Sequence, residues 1–593
     1  MSDKQVVLGF SGLDGAVDFN RENFTLEPGE EYIAQGFDSA AAILIDGKVI
    51  AAAAEERFNR EKHSGDFPVN AINFCLQRAN VSIDDVDIFA HGFDYGKFAD
   101  VFSLLYPDYY QQVLNPRRQC QLFSKYFKTN IEKIFSPVEH HLAHAASAYY
   151  PSRFSDCLCI VCDGMGEVNS LTVYYVESGN FRQLASFDIS DSLGILYGIA
   201  TRHLGFKVFS DEYKVMGLAP YGNPEAFTGF FHKAVELQDN GQYKVHLKKL
   251  ANSLHSDIFN RKIYTYLNKE ILPRREPHEI LEQIHKDFAA GLQACLEKTL
   301  FHIIDYWQSM TNSRYLCMAG GVALNCTFNG KLIAKKQFKN IYIQAASGDD
   351  GTALGAAFYR AAQTKPSALR CLRPEQLPFY GSAYQTSSYQ AAISKYVDQL
   401  SVEYFNDISD LITDAAQAIV SDKIIAWFQD EMEFGPRALG HRSILANPMC
   451  LDIKQHLNRI VKLREDFRPF APAMIQETAA DYFDYHIAYP FAFMLATCRV
   501  KEQWQNILPG ITHVDGSARL QIVSPEENMK FYRLIKKVGE LQDIPCVINT
   551  SFNVRGQAII ETPEEAVETF LKVDLHCLYL GNFKCTRHPA ILS

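Results

Sequence analysis

Short apolar runs that each end in a turn rich in glycine and aspartate recur along the first 360 residues. QVVLGF is the first such run, and in AAAILIDGKVIAAAA two apolar runs flank the residues IDGK, which predicts a β-hairpin. DVDIFAHG, DCLCIVCDGMGE and LTVYYVESGNF repeat the pattern, and helical stretches such as PVNAINFCLQRA alternate with it. This alternation predicts an α/β fold.

A second round of the same pattern follows a long amphipathic stretch at 279–310 and contains RYLCMAGGVALN and NIYIQAASGDDGTALGAA. Two α/β lobes of related build are therefore expected within residues 1–363. The proline-containing stretch TKPSALRCLRPEQLPFY predicts a linker, which we extend over 364–404. Several short strands and dense arginine motifs at 405–593 predict a second domain of mixed α+β character.

Composition and charge narrow the class of protein. Of the 593 residues 47% are hydrophobic and 21% charged, which excludes a chain that is mainly disordered or fibrous. A net charge of −11 argues against a broad nucleic-acid surface. No signal peptide or long apolar run is apparent, so we expect a soluble cytoplasmic protein without a membrane partner. The CxxC of Cys159 and Cys162 has no second CxxC to complete a zinc site, which favours a buried strand.

Two histidines in VEHHLAHAASAYY suggest a metal site. His140 and His144 are four residues apart, which places both on one face of a helix. Asp163 ends an apolar run and Asp349 lies in a glycine turn, so both could complete the site, with Asp350 as an alternative to Asp349. Such a set suits Fe(II), Mn(II) or Zn(II) better than Mg(II). The other interpretation is that the histidines are buried without a metal and that the aspartates are ordinary turn residues.

Two further motifs indicate nucleotide and phosphate chemistry. In MAGGVALNC an apolar run leads into Gly320 and Gly321, where the backbone could approach a nucleotide, and Asn325 could bond a ribose or base. There is no GxxxxGK[ST] phosphate loop and no GxSxG. The C-terminal part carries polar and basic residues flanked by glycine, proline or aromatic residues: Arg437, Arg442, Lys462, Arg464, Arg468, Arg519, Asn549, Ser551 and Arg555. They predict a pocket for phosphate groups, and scattered surface ion pairs are the alternative.

Together these motifs closely resemble the O-carbamoyltransferases, which include the nodulation-factor enzyme and the tailoring enzymes for tobramycin, cephamycin and novobiocin. The resemblance runs from about residue 36 to about residue 570, with the motifs in the family's order: HHLAHAASAYY, EYKVMGLAPYG, AGGVALNC, GDDGTALGAA, MEFGPRALGHRSILA, KLREDFRPFAPA, THVDGSARLQ and NTSFNVRGQ.

The resemblance implies an N-terminal domain with the actin/sugar-kinase/Hsp70 fold, like the tRNA threonylcarbamoyl-transfer protein, and a YrdC-like C-terminal domain. It implies that carbamoyl phosphate and ATP, with Mg(II), form carbamoyl adenylate in the C-terminal domain. An acceptor hydroxyl then takes the carbamoyl group in the N-terminal domain. A divalent metal, Fe(II) by preference and otherwise Mn(II) or Zn(II), is expected on His140, His144, Asp163 and Asp349. The nucleotide and phosphate ligands expected are Gly320, Gly321, Asn325, Arg437, Lys462, Arg464, Arg468, Arg519, Asn549, Ser551 and Arg555.

The chain departs from the family where a His-Asp pair usually stands, because Phe37-Asp38 occupies that place. Asp38 is expected to act as general base or to orient the acceptor, with His91, His63 and His141 as substitutes for the missing histidine. His144 and Lys214, the latter in EYKVMG with Glu212, are expected near the transfer step. Residues 11–35 form a long lead-in that is expected to line the acceptor pocket.

The expected function is carbamoylation of a small-molecule hydroxyl, as in antibiotic or glycan tailoring, by a monomer or homodimer. Two alternatives stay open. One is a related carbamoyltransferase that acts on nitrogen or on a macromolecule. The other is a nucleotide-binding regulator on the same fold, without catalysis.

Overall fold

The computed structural model describes residues 4–253, 259–366, 378–461, 464–486 and 488–588. These residues form two compact units. The first unit comprises residues 4–50, 63–328 and 335–366, and the second comprises residues 51–62, 329–334 and 378–588, in each case as far as they are described. Lys462 lies outside the described residues. Within the described chain, no helix combines the length and the apolar character needed to cross a membrane.

The strands of the described chain are numbered in chain order: β1 Val6–Phe10, β2 Ala40–Ile45, β3 Lys48–Ala54, β4 Ile88–His91, β5 Asp156–Cys162, β6 Asn169–Glu177, β7 Asn180–Asp188, β8 Val235–Gln238, β9 Gln242–Val245, β10 Tyr315–Ala319, β11 Asn340–Ile343, β12 Leu400–Tyr404, β13 Ile425–Phe428, β14 Arg442–Ala446, β15 Ala471–Ile475, β16 Thr497–Arg499, β17 Ser517–Arg519, β18 Gln521–Val523, β19 Cys546–Ser551, β20 Cys577–Leu580 and β21 Phe583–Arg587.

The α-helices of the described chain are α1 Ala16–Asn23, α2 Glu56–Asn59, α3 Val69–Ala79, α4 Ala99–Leu105, α5 Pro107–Tyr109, α6 Pro116–Phe127, α7 His140–Ser152, α8 Leu193–His203, α9 Glu212–Leu218, α10 Thr228–Ala234, α11 Leu247–Leu250, α12 Arg261–Tyr266, α13 Gln283–Thr311, α14 Cys326–Ala334, α15 Asp350–Thr364, α16 Thr386–Ser394, α17 Ile408–Val420, α18 Ile453–His456, α19 Ala479–Tyr482, α20 Tyr489–Ala492, α21 Glu502–Gln505, α22 Met529–Gln542 and α23 Pro563–Lys572.

Two sheets share one strand order. The first runs β3-β2-β1-β4 and the second runs β7-β6-β5-β10-β11, so a central strand has antiparallel neighbours on one side and a parallel neighbour on the other in both sheets. The predicted hairpin between β2 and β3 is confirmed, because Asp46 and Gly47 both have positive φ, as a type I′ turn requires. The mixed α/β character predicted for the chain is confirmed as well.

The second sheet places three candidate residues at one edge. β5, β10 and β11 are parallel, so their carboxyl ends lie on the same side. Asp163 follows β5, Gly320 follows β10, and Asp349 lies six residues after β11. β5 is buried along its apolar length, including Cys159 and Cys162, which confirms that the CxxC belongs to a core strand.

The second unit is built on an eight-stranded sheet of order β12-β21-β20-β13-β14-β19-β15-β18. Helices α17 and α22 cover a core that contains Trp427, Phe531 and Tyr579. Residues 386–404, which the sequence placed in the linker, form α16 and β12, and β12 pairs with β21. The linker prediction extended too far because the prolines that suggested it end at Pro378, before the helical stretch TSSYQAAIS.

Candidate functional site

Two buried histidines form the centre of the candidate site in the first unit. Helix α7 begins at His140, and His144 follows one turn later on the same face, as the sequence predicts. Both side chains are fully buried, and their Nε2 atoms are 3.1 Å apart. The ring of Phe93 stacks on His140 with centroids 4.1 Å apart and fixes the plane of that imidazole.

Two carboxylates complete a group of four ligand atoms. His140 Nε2 lies 3.4 Å from an oxygen of Asp163 and 3.4 Å from one of Asp349, and the same oxygens lie 3.9 and 3.7 Å from His144 Nε2. All four atoms lie within 4.8 Å of one another. Ligands about 2.1 Å from a tetrahedral metal are about 3.4 Å apart, so these separations fit a single transition-metal ion.

Neighbouring groups orient the candidate ligand residues. His140 Nδ1 lies 3.0 Å from the Gly92 carbonyl oxygen, and a proton donated there leaves Nε2 available as a ligand. The Gly321 backbone N–H donates to Asp163 Oδ1 over 2.9 Å. Asp350 turns one carboxylate oxygen to the N–H of Gly351 at the start of α15, whereas Asp349 supplies the oxygen near the histidines.

The electrostatics of the four residues favour a cation between them. Burial opposes the charged imidazole, but Asp349 and Asp163 outweigh it and raise the pKa of His140 well above its usual value. Burial likewise opposes ionisation of Asp163, but His140 and His144 outweigh it and lower the pKa of Asp163. Burial of Asp349 is also outweighed by His140 and His144, which lower the pKa of that carboxyl. Buried Asp163 and part-buried Asp349 therefore both stay charged, which a divalent ion would compensate.

The glycine turn after β10 lies beside Asp163, whereas the Asn325 side chain forms hydrogen bonds with a neighbouring helix. Gly320 has a φ of +90°, and a Cβ there would lie 2.3 Å from the Cys162 carbonyl oxygen. Asn325 and Gln293 exchange two amide hydrogen bonds of 2.9 and 3.0 Å. The structure thus brings Gly320 and Gly321 beside Asp163, and it places the Asn325 amide against a neighbouring helix.

Asp38 lies close to the turn that carries Asp349. Its Oδ2 would be 3.6 Å from a Cβ built on Gly348, and its Oδ1 lies 2.7 Å from His63 Nδ1. Both Asp38 and His63 have positive φ, a strained backbone that is common at functional sites.

The other two histidines considered as substitutes are engaged elsewhere. Both ring nitrogens of His91 face backbone carbonyls, and His141 Nδ1 lies 2.7 Å from the Thr172 hydroxyl. Lys214 forms an ion pair with Asp211 at 3.0 Å, and burial raises the pKa of the adjacent Glu212 to about 7.

The lead-in segment 11–35 contacts the loop that follows β5. The Gln35 amide donates to the carbonyls of Met165 and Gly166. Glu30 is fully buried against the guanidinium groups of Arg202 and Arg261, which anchor the segment. The lead-in therefore lies next to the metal-binding loop.

In the second unit, strand register brings the predicted arginine motifs to one end of the sheet. The start of β14 lies opposite the ends of β13 and β19, with Arg442 facing Phe428 and Ser443 facing Ser551. Ala471, at the start of β15, lies opposite Asn549 of β19, and β15 runs parallel to β18. The segments before and after these strand ends carry Arg437, Arg464, Arg468, Arg519, Asn549, Ser551 and Arg555.

The contacts of each residue show which ones support the fold of the second unit and which ones could bind a phosphate group. Arg442 is fully buried, donates to the carbonyls of Gln429 and Ser382, and stacks 3.7 Å from the Phe428 ring centroid, so it supports the loop before β14. Asn549 donates to Ala438 O at 3.3 Å, next to Arg437.

Two of the remaining arginines have polar partners on their own segment. Arg464 donates to Asn458 Oδ1 at 2.7 Å and stacks on Phe470, and Arg468 pairs with Glu465 at 3.5 Å. Their guanidinium groups are thereby held near the start of β15.

Sequence reasoning missed two buried glutamates. Glu167 accepts backbone N–H bonds at the start of α7, and Glu433 accepts three from Leu439, His441 and Arg442. The only sequence signal for Glu167 is its position four residues after Asp163 in CDGMGE.

These two units form an α/β protein with a His/Asp group that could hold a metal ion in one unit and arginine-bearing segments at one end of the sheet in the other. Family models agree: "Carbamoyltransferase N-terminus" matches residues 33–358 and "Carbamoyltransferase C-terminus" matches residues 416–587. The chain belongs to the carbamoyltransferase family.

Individual relatives cover nearly the whole chain. Nodulation protein NolNO of Sinorhizobium fredii is 36% identical over 559 residues, which are 93% of this chain and 79% of that protein. Protein sll1178 of Synechocystis is 34% identical over 589 residues, which are 92% of this chain and 94% of that protein. The crystal structure of T. kodakarensis HypF aligns with a TM-score of 0.31 and 12% identity over 63% of this chain and 49% of that chain.

Proposed function

We propose that this protein is an ATP-dependent O-carbamoyltransferase that works in two steps. In the first step water cleaves carbamoyl phosphate to phosphate and carbamate. A carbamate oxygen then attacks the α-phosphorus of ATP, and pyrophosphate leaves as carbamoyl adenylate forms. In the second step an acceptor hydroxyl loses its proton and attacks the carbamoyl carbon, and AMP leaves. The observation that carries this proposal is a quartet of His140, His144, Asp163 and Asp349 in one unit together with arginine-bearing segments at one end of the sheet in the other.

The adenylation step is assigned to the sheet end of the second unit. Carbamoyl phosphate and the ATP phosphates are anions that guanidinium groups bind bidentately. Candidate ligands are Arg437, Lys462, Arg464, Arg468, Arg519, Asn549, Ser551 and Arg555. Arg442 holds the loop that carries Arg437, and a closed pocket would keep water from the adenylate. The mixed eight-stranded sheet supports a YrdC-like fold for this unit.

The transfer step is assigned to the first unit, where His140, His144, Asp163 and Asp349 would hold the divalent metal. A metal bound there would act as a Lewis acid toward the nucleotide phosphate or the carbamoyl oxygen. Gly320 and Gly321 would let the nucleotide approach this edge of the sheet. Asp38 would accept the proton of the acceptor hydroxyl, and Lys214 would contact the nucleotide. The strand order shared by the two sheets supports an actin-like fold.

The acceptor would be a small molecule with a free hydroxyl. Tyr32 of the lead-in segment and Phe37, the residue before Asp38, have partly exposed rings whose centroids are 6.4 Å apart. The ammonium of Lys207 lies 4.0 Å from the Tyr32 ring centroid. Aromatic rings of this kind stack on sugars and flat rings, which supports a ring-bearing acceptor.

The proposal is tested by incubating the purified protein with ATP and carbamoyl phosphate, without acceptor, and following AMP, pyrophosphate and phosphate. We expect pyrophosphate only when carbamoyl phosphate is present, and AMP only as water hydrolyses the carbamoyl adenylate that no acceptor consumes. Arg464→Ala should abolish pyrophosphate release, because Arg464 belongs to the adenylation unit. His144→Ala should leave it within a few-fold of the unchanged protein.

Arg499→Ala is the matched control, since Arg499 lies in the same unit but is exposed and paired with Glu502. It should leave pyrophosphate release unchanged. Nucleotide binding without any carbamoyl-phosphate-dependent pyrophosphate from metal-loaded protein would contradict the proposal and favour a regulatory protein.

A further inference from the structure

A buried glutamate lies at the start of the helix that carries both histidines of the metal centre. Glu167 is 5% exposed and belongs to the loop between β5 and β6, four residues after Asp163. It is not one of the four ligand residues. A buried carboxylate is costly unless it is hydrogen-bonded, so its contacts indicate what it does.

The contacts of Glu167 join the metal helix to a neighbouring segment. Its Oε1 accepts the backbone N–H of His140 at 3.0 Å and that of Asp94 at 2.7 Å, and its Oε2 lies 3.2 Å from the same His140 N–H. His140 is the first residue of α7, where backbone N–H groups have no partner within the helix. The carboxylate therefore fixes the axial position of the helix start and lies at its positive end.

The position of that helix start sets two metal ligands at once. His140 and His144 are held on one rigid turn, so a shift of α7 moves both Nε2 atoms relative to Asp163 and Asp349. Glu167 and Asp163 lie on the same loop, so Glu167 also ties the helix to the loop of a third ligand. A bidentate contact with one N–H and a second bond to Asp94 restrict the carboxylate to one orientation.

Glu139 provides an internal comparison at the same helix end. It precedes His140 as the N-cap residue, but its side chain makes no capping hydrogen bond and pairs instead with the ammonium of Lys97. The two glutamates thus bring similar charge to the start of α7, and only Glu167 holds the backbone there.

We propose that Glu167 is a positioning residue that sets the affinity and the coordination geometry of the metal centre through the start of α7. The inference rests on the metal centre of the proposed function and adds to it a residue that touches no ligand atom of the metal.

The test uses the full-length metal-free protein and Co(II) as probe, because Co(II) suits imidazole and carboxylate ligands and its visible absorption reports coordination geometry. The Co(II) dissociation constant and the visible spectrum are measured for the unchanged protein, Glu167→Gln and Glu139→Gln. We expect Glu167→Gln to bind Co(II) about 10- to 100-fold more weakly, with altered absorption bands, because both carboxylate oxygens engage the His140 N–H and an amide would put an NH2 donor in place of one of them. Glu139→Gln should keep the affinity within about threefold and the spectrum unchanged.

Each other outcome overturns the proposal in a different way. Unchanged affinity and bands in Glu167→Gln would show that the residue does not position the ligands. Equal weakening in both variants would assign the effect to bulk charge. Absence of Co(II) binding by the unchanged protein would remove the metal centre itself, and with it the metal part of the proposed function. If Glu167→Gln does not fold, Glu167→Asp, which is shorter by one methylene, is measured for the same two readouts.

Discussion

At the residue scale, the proposed metal site depends on the positions of four ligand atoms. The imidazoles of His140 and His144 are brought together by helical spacing alone, whereas Asp163 and Asp349 arrive from two strand ends of the same sheet. Burial makes the site sensitive to substitution, because a buried carboxylate is energetically costly unless a cation or hydrogen-bond donors accompany it. A change of one functional group should therefore have a large effect on metal binding.

Substitutions of the adjacent residues Asp349 and Asp350 are expected to have different effects on metal binding. Asp349→Asn should weaken metal binding by more than about 100-fold, since loss of a ligand exceeds the 10- to 100-fold typical of outer-shell changes. Asp350→Asn should change it by only a few-fold, because its oxygen faces the N–H of Gly351 and the amide oxygen can replace it. Equilibrium dialysis with Co(II) measures both. Equal losses in the two variants would contradict the assignment of Asp349.

At the scale of helices and strands, the metal centre depends on close approach between elements. Helix α15 crosses α7 beside the histidines, and a Cβ on Gly355 would lie 1.8 Å from the Ala143 carbonyl oxygen. Ala143 is the residue before His144. A side chain at position 355 must therefore push apart the helix that carries the two histidines and the helix that follows Asp349.

We expect Gly355→Ala to destabilise the protein by about 1–3 kcal/mol, as overpacking in a tight contact does. It should also weaken metal binding, because α7 has to move. The matched control is Gly229→Ala in α10, where a Cβ would meet no atom within 4 Å. That change should be neutral or slightly stabilising, since alanine favours a helix over glycine. Urea unfolding followed by circular dichroism compares them, and an equally stable Gly355→Ala would refute the close contact.

The elements also show which inferences the sequence could support. Local patterns predicted the hairpin at Asp46-Gly47, the helical face of His140 and His144, and the strand that leads into Asp163. The sequence alone could not predict contacts between segments that are far apart in the chain. Glu167 is connected to His140 only by the fold, and the Asn325 amide pairs with Gln293 of another helix. Residue types at loop ends also could not separate Arg442, which supports its loop, from the arginines beside it.

At the scale of the whole molecule, the two compact units are not two consecutive stretches of the sequence. Residues 51–62 belong to the second unit, although they precede most of the first unit in the sequence. Within the second unit Arg60 donates to the carbonyls of Ile559 and Ala558 at 2.8 and 2.9 Å and pairs with Glu565. A domain boundary drawn at one point of the sequence therefore omits part of this unit.

Arg60→Leu should destabilise the second unit by about 1–3 kcal/mol, because two carbonyl acceptors lose a charged donor. Hydrogen exchange should then accelerate in peptides from α23 and β20. Arg21→Leu is the control, since Arg21 is exposed, pairs with nearby Asp18 and lies 6.0 Å from the Tyr32 ring centroid, so its loss should cost less than about 1 kcal/mol. If Arg60→Leu leaves exchange in α23 unchanged, residue 60 does not stabilise this unit.

The strand order of the second unit also bears on how the protein is made. β12 forms its hydrogen bonds with β21, which a ribosome working at about 5–20 residues per second adds roughly 180 residues and tens of seconds later. During that interval β12 is a bare strand edge, a known starting point for association between nascent chains. Four of its five residues are exposed in the finished protein: Val402 and Tyr404 are large and hydrophobic, and they alternate with polar Ser401 and Glu403. This polarity would protect newly synthesised chains on one polysome from pairing with each other before β21 emerges.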